Sequence, residues 1–432
     1  MALTQQQKKV ITYFFGFILL IIFIAVVFRA RTPKPITLQI WGFLDDTNGI
    51  VSVLPQFQSL YPNIYLNFVL KDSKTYHEDL KMAFLKNKAP DIFMLTGTMI
   101  PKYKDKIAFI DLKNDKTLNL KTIQEIYPDI VLQELVIDNR KLMGIPFSVD
   151  TLALFYNKDI FNHYNIPFPP KTWEEIISLI PQFRIFDKSQ NLRQSAIALG
   201  TENNINWSSD IFTTIALQFG AKLPLDSNSF FDFYNNRGSF ENALDFYTQF
   251  SQRQNQNYTW DEEKANSLIN FAYGKVAMVL GYERAIPLIT SQNPQLNFGV
   301  VPFPSFKNRP NVNFYGSTIL FVVNKNSPHL KESLAFLKYL SSANASEKYF
   351  LSTQHPPARR DLIQKYLNDP LLNAFISQIL ASKSYYQFDS EAIQDAFKEM
   401  IFNARKKNFQ NYENISRTFN TLNYLWQNPP SD

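Results

Sequence analysis

Between residues 36 and 95, short apolar runs alternate with amphipathic ones. ITLQIW at 36–41, IYLNFVL at 64–70 and DIFML at 91–95 read as strands, with helices expected at 50–60 and 76–87. Strands separated by crossover helices pair in parallel, so this stretch predicts a mainly parallel sheet covered by helices on both faces. Ligands of such sheets lie at the carboxyl ends of the strands. That directs attention to the loops at 41–46 and 96–100; in the loop from Gly42 to Gly49, Asp45, Asp46, Thr47 and Asn48 are also possible caps for helix 50–60.

Beyond residue 145 the texture changes. Gly144-Ile145-Pro146 precedes a strand-like run at 151–156, and Pro167, Pro169 and Pro170 lead into Thr172-Trp173-Glu174-Glu175. Thr172 with Glu175 three residues on is a capping box, the start signal of a helix. Mostly helices are expected from 173 to 290, strands at 275–280, 297–301 and 318–323, and helices filling 330–350 and 370–428. No internal repeat is present. At 432 residues the chain has room for two or three domains.

The composition removes whole classes of chemistry. With no cysteine there is no disulfide scaffold, thiolate zinc site, iron–sulfur cluster or lipid-modified cysteine, and the four histidines at 77, 163, 329 and 355 are far apart in sequence. No nucleophile elbow, phosphate loop, dinucleotide fingerprint, H-E-x-x-H or EF-hand pattern occurs. We therefore expect neither cofactor nor metal. Adjacent acids such as Glu174-Glu175 and Glu262-Glu263 do not face one another on a helix; Asp45 with Asp150 is the pair that a cleft would let approach, as a glycan-cleaving enzyme requires. The 15 % aromatic content fits an AT-rich coding bias as well as carbohydrate binding.

The net charge of +6 is concentrated at one end. Residues 1–35 carry Lys8, Lys9, Arg29, Arg31 and Lys34 and no acid, which leaves the rest near neutral and argues against nucleic acid as a partner. Residues 10–28 hold nineteen residues without a charge. As a helix they would span roughly 28 Å, about the hydrocarbon thickness of a bilayer. Phe28-Arg29-Ala30-Arg31 is not a small-x-small cleavage site, so the sequence predicts an uncleaved membrane anchor. Three positive charges on each side leave its orientation open. Pro33 and Pro35 make a stiff spacer.

Several phrases, in order, resemble the extracellular solute-binding proteins of family 1, the maltose-binding-like receptors of ABC importers. They are the opening strand ending in Trp41 with acidic Asp45 after it, Ala89-Pro90-Asp91-Ile92, Gly144-Ile145-Pro146, Thr151 through Asp159, Pro170-Lys171-Thr172-Trp173-Glu174-Glu175, Gly274-Lys275-Val276-Ala277-Met278 before Gly281-Tyr282, and Asn297-Phe298-Gly299-Val300 before Pro302. The resemblance implies an α/β, two-lobed periplasmic-binding-protein fold of type II, preceded here by one transmembrane helix. It places crossings between lobes near 147–151, 314–319 and 357–361. The implied division is an anchor and spacer at 1–35, one lobe from 36–148 with 320–360, and a second from 149–319 with 361–432.

The resemblance also implies a solute site. Its candidates are Trp41, Asp45, Thr98, Asp150, Trp207, Tyr282, Arg284, Tyr315 and Gly316, each with a plainer reading beside it. Trp41 is a stacking plate or core packing; Asp45 accepts sugar hydroxyls or caps helix 50–60; Trp207 is a lid aromatic or a helix staple. Asp150 and Tyr282 are expected to face the solute, with Arg284 beside them, while Arg359 reads as an ion-pair partner at a crossing. Leu95, Thr98, Met99 and the segment 390–392 depart from the maltose binders' grips, which speaks against maltodextrin and leaves a different sugar, a polyol or a sugar phosphate open. A monomeric, membrane-anchored extracytoplasmic receptor delivering a sugar or polyol to ABC permease subunits follows. The alternatives are a ligand sensor signalling to a partner and an enzyme using Asp45 and Asp150.

Overall fold

Strand Ile36–Gly42 turns Leu38, Ile40 and Gly42 inward and leaves the residues between them more exposed, the period-two pattern of an amphipathic strand. In the computed structural model, which describes residues 34–309 and 314–428 together with residues 5, 13, 14, 16–18 and 20, this strand pairs in parallel with Ile64–Leu70 on one side and Ile92–Thr96 on the other. Ile92, Phe93, Met94 and Leu95 are all fully buried, as a strand covered on both faces requires. Phe314–Asn324 closes the sheet antiparallel to Ile92–Thr96, with Ile145–Thr151, Ile107–Ala108 and Ser382–Lys383 also paired to it.

A second sheet runs in the order Ile185–Phe186, Leu192–Ile197, Val276–Gly281, Ala153–Asn157, Phe298–Pro302. Leu152 alone separates Ile145–Thr151 of the first sheet from Ala153–Asn157 of the second. Phe314–Asn324 returns the chain to the first sheet, and a third segment lies alongside, since Ser148 stands opposite Ile319 and also bridges Pro357. Arg359 here donates to both carboxylate oxygens of Asp361 at 3.0 Å and to the Ser341 carbonyl. Three stretches of chain thus run side by side between two α/β layers.

Local signals explain the covering helices. The Thr172 hydroxyl accepts from the Glu175 N–H at 3.2 Å while the Glu175 carboxylate accepts from the Thr172 N–H at 3.3 Å, starting helix Trp173–Phe183 as the capping box predicts. Helix Thr47–Leu60 buries Ile50, Val53 and Phe57 on one stripe against helix Ala343–Thr353. Ser390–Lys406 and Asn411–Gln427 pack with Phe233–Thr248 and Ser208–Gln218.

Several boundaries differ from the sequence reading. The helix expected over 330–350 is two, Leu330–Leu340 and Ala343–Thr353, because Ser342 caps the second by accepting from the Ala345 N–H at 3.4 Å. The segment 370–428 is not continuously helical but begins with the short turns Asn373–Ile376 and Ile379–Ala381. Strand Leu192–Ile197 lies where helices were expected. The membrane span expected at 10–28 lies mostly outside the described residues, and among those residues no helix is long and apolar enough to cross a membrane.

Candidate functional site

The carboxyl ends of strands from both sheets meet at one histidine. Ile36–Gly42 runs out into loop 43–46, and Val276–Gly281 runs out into 282–284. His355 stands between these loops, with Nε2 2.9 Å from Asp46 Oδ1 and Nδ1 2.9 Å from Glu283 Oε2. Tyr349 donates its hydroxyl to the other Asp46 oxygen. Both imidazole nitrogens face carboxylates, so the ring is held as an imidazolium donating from both. Burial alone would lower its pKa, but the two carboxylates reverse that and push it up to about 10.

The same network continues into Asp150, a buried residue of strand Ile145–Thr151. Its Oδ1 accepts from the Glu283 N–H at 3.3 Å and its Oδ2 from Arg284 Nη1 at 2.7 Å. Burial pushes the Asp150 carboxyl up to about 6, against the pull of Arg284. The Arg284 guanidinium lies 4.1 Å from the Tyr282 ring centroid and 5.2 Å from that of Trp207. Behind this stack the Tyr282 hydroxyl donates to Asp210 Oδ2 at 2.9 Å, and burial pushes Asp210 up to about 6 in spite of that bond.

Trp207 is held in place by local backbone. It sits at φ 58° as the residue before helix Ser208–Gln218, a left-handed conformation that a bulky side chain adopts only when its surroundings impose it. Gly281 makes room for it, since a Cβ there would lie 3.1 Å from the indole.

A second polar group lies against the crossing strand. Glu134 Oε2 accepts from the Thr318 N–H at 2.8 Å and hydroxyl at 2.6 Å, and Oε1 accepts from the Ser384 hydroxyl. Burial raises its carboxyl to about 7. Gly97 packs so tightly on it that a Cβ would fall 2.0 Å from Glu134 Oε2. Thr98 and Thr96 hydroxyls pair at 3.0 Å, and Tyr315 accepts from Gln387 Nε2 at 3.0 Å.

The structure therefore brings Asp150, Trp207, Tyr282 and Arg284 into one cluster and sets Thr98, Tyr315 and Gly316 around the crossing strand. Gly316 pairs with Thr151, with the Asp150 carbonyl 3.2 Å from where its Cβ would be. Trp41 and Asp45 stand apart from the cluster. Trp41 is half-buried with Lys71 Nζ 3.9 Å over its ring, and exposed Asp45 accepts from the Thr47 hydroxyl at 2.9 Å. Its neighbour Asp46, considered only as a cap, is the one that enters the network. Glu283, His355, Asp210 and Glu134 were not singled out; the position of His355 ahead of Pro356-Pro357 was the one available hint. Among the described residues no group of three or more acids and histidines is placed to hold a metal ion.

The network has a signed consequence for pH. The folded pKa of His355 lies above the ordinary histidine value of 6.5, so its contribution to stability is complete below about pH 6.5 and is lost as pH rises through about 10. Asp150, Asp210 and Glu134 also hold protons more tightly when folded, so their contribution falls between about pH 4 and 7. The ligand-free melting temperature should therefore decline from pH 7 to 10, and the decline should flatten in His355→Gln. An equal slope in the two proteins would show that the imidazolium is not held as described.

Two α/β lobes joined by adjacent strands, with the carboxyl ends of both sheets turned toward a shared polar cluster, define the two-lobed class of binding proteins. Residues 45–347 match the family Bacterial extracellular solute-binding protein, and the chain belongs to it. Its members are solute-binding proteins and not enzymes. The chain is 24 % identical over 241 residues to the multiple sugar-binding protein of Streptococcus mutans, an alignment covering 54 % of this chain and 55 % of that protein. It is 22 % identical to the galactooligosaccharide-binding protein of Bacillus subtilis over 79 % of this chain and 76 % of that one. An ABC transporter solute-binding protein of Thermotoga lettingae, solved with alpha-D-tagatose bound, superposes with a TM-score of 0.72 at 22 % identity, covering 91 % of this chain and all of that one.

Proposed function

We propose that the chain captures an uncharged sugar or polyol between its lobes and hands it to an ABC permease. The observation that carries this reading is the pairing of buried carboxylates with aromatic rings where the two sheets' strand ends meet. Carboxylates accept hydroxyl hydrogen bonds, and aromatic faces pack against the C–H face of a pyranose. The cations of the region are already engaged: Arg284 with Asp150, His355 with Asp46 and Glu283, and Lys102 with Asp389 and Glu391 at 3.2 and 3.0 Å. A phosphorylated solute would find no free positive partner among them. The names of the two sugar-binding relatives support the same class.

We divide the lobes as 36–148 with 320–360 and 149–319 with 361–432; strands Ile145–Thr151 and Phe314–Asn324, both of the first sheet, favour moving the first two boundaries to Leu152 and to a point between Pro302 and Phe314. The uncharged run at 10–28 would hold a monomeric receptor at the outer face of the cell membrane. Thermal-shift measurement on the full-length chain should show a raised melting temperature with a galactooligosaccharide or D-tagatose and none with glycerol 3-phosphate. A shift with the phosphate alone would reverse the assignment of solute class, and release of the full-length protein from membranes by carbonate would remove the anchor.

A further inference from the structure

Trp207, Tyr282 and Asp150 offer what a sugar ring needs, flat aromatic faces and a carboxylate, and in this structure one side chain takes all three. Arg284 lies over the Tyr282 ring at 4.1 Å, approaches the Trp207 ring at 5.2 Å and donates to Asp150 at 2.7 Å. A guanidinium carries its donors around its edge and stacks through its face, which is also how a pyranose presents its hydroxyls and C–H surface. Its side chain keeps 28 % of its surface in solvent while the Asp150 side chain keeps 4 %, so Arg284 is the outer layer over both carboxylate and ring.

The receiving groups are fixed from behind. Tyr282 is anchored through Asp210, its ring meets Trp207 edge-on at 5.4 Å, and the Trp207 backbone is set by its left-handed turn. Arg284 is the part free to leave. It has one carboxylate partner, and it directly precedes helix Ala285–Gln292, whose N-terminal dipole disfavours a cation.

We propose that Arg284 is an internal stand-in for the solute, occupying its aromatic and carboxylate contacts until the solute displaces it. This rests on the sugar reading of the cleft and adds to it a built-in competitor, which lowers apparent affinity by the fraction of molecules in which Arg284 has swung out.

Isothermal titration with the galactooligosaccharide and with D-tagatose tests this. Arg284→Ala should bind whichever sugar the wild-type protein binds roughly tenfold more tightly. Millimolar guanidinium should undo that gain in the variant by refilling the slot, and leave the wild-type affinity unchanged. Arg284→Lys keeps the charge beside Asp150 without the stacking face and should fall between the two; it carries the test if the alanine variant does not fold. Equal or weaker sugar binding in Arg284→Ala, or in Arg284→Lys if the former is unfolded, overturns the stand-in while leaving the sugar reading intact. Failure of both sugars to bind wild-type and variant overturns the sugar reading and the stand-in together.

Discussion

Asp150→Ala should weaken sugar binding by about 1.5 to 3 kcal/mol and also lower the stability of the ligand-free protein. The first figure is the range for a hydrogen bond to a charged group. The second effect follows from what Asp150 holds in the absence of solute, namely the Glu283 N–H at 3.3 Å and the Arg284 guanidinium at 2.7 Å. Breaking a fully buried ion pair costs about 3 to 5 kcal/mol. Arg284 keeps 28 % of its side-chain surface in water, so a loss of about 2 kcal/mol is the better expectation. Calorimetric titration beside chemical denaturation reads both quantities, and intact affinity in a destabilised variant would reduce Asp150 to a structural residue.

Trp173→Ala should do the reverse, with a large loss of stability and sugar affinity unchanged in the molecules that remain folded. Trp173 is fully buried at the start of helix Trp173–Phe183, with ring centroids of Phe246 at 5.0 Å and Phe303 at 5.5 Å. Its indole N–H donates to Gln218 Oε1 at 2.9 Å, and Gln218 in turn donates to the Pro304 carbonyl. Removing the indole leaves a cavity and deprives the buried Gln218 oxygen of its donor, which together cost about 3 to 5 kcal/mol. Urea denaturation gives the loss directly. A drop below about 1 kcal/mol would mean that the surrounding phenylalanines collapse into the space.

How far the sequence could be read depended on the range over which each feature is encoded. The alternation from 36 to 95 and the capping box at Thr172 are local and survive in the structure with small shifts of boundary. Strand Leu192–Ile197 was missed because Arg193 and Gln194 interrupt its apolar pattern, and its inner residues are the small Ser195 and Ala196 as well as Ile197. The polar cluster is of another kind. His355 meets Asp46 across 309 residues and Glu283 across 72, and no periodicity connects positions so far apart. Asp45 and Asp46 are neighbours of identical chemistry, and only the path of the loop decides that the second is buried while the first binds Thr47 at the surface. Tyr282 was correctly placed at a strand end, but a pattern of residue types does not reveal that a side chain two positions later lies over its ring.

The long strand Phe314–Asn324 has a consequence for the order in which the chain can fold. Its pairing with Ile92–Thr96 joins Ile319 to Thr96, some 220 positions apart. Until that partner arrives, one edge of the fully buried run Ile92, Phe93, Met94 and Leu95 has no ladder to join. The lobe that begins first therefore stays open until Phe314–Asn324 has been made. Synthesis at about 5 to 20 residues per second leaves this edge unpaired for roughly 10 s or more. Contacts so distant also slow the search for the native pairing. A chain built this way tolerates a long interval as an unfinished polymer, and is more exposed to aggregation through that edge than one whose first domain closes on itself.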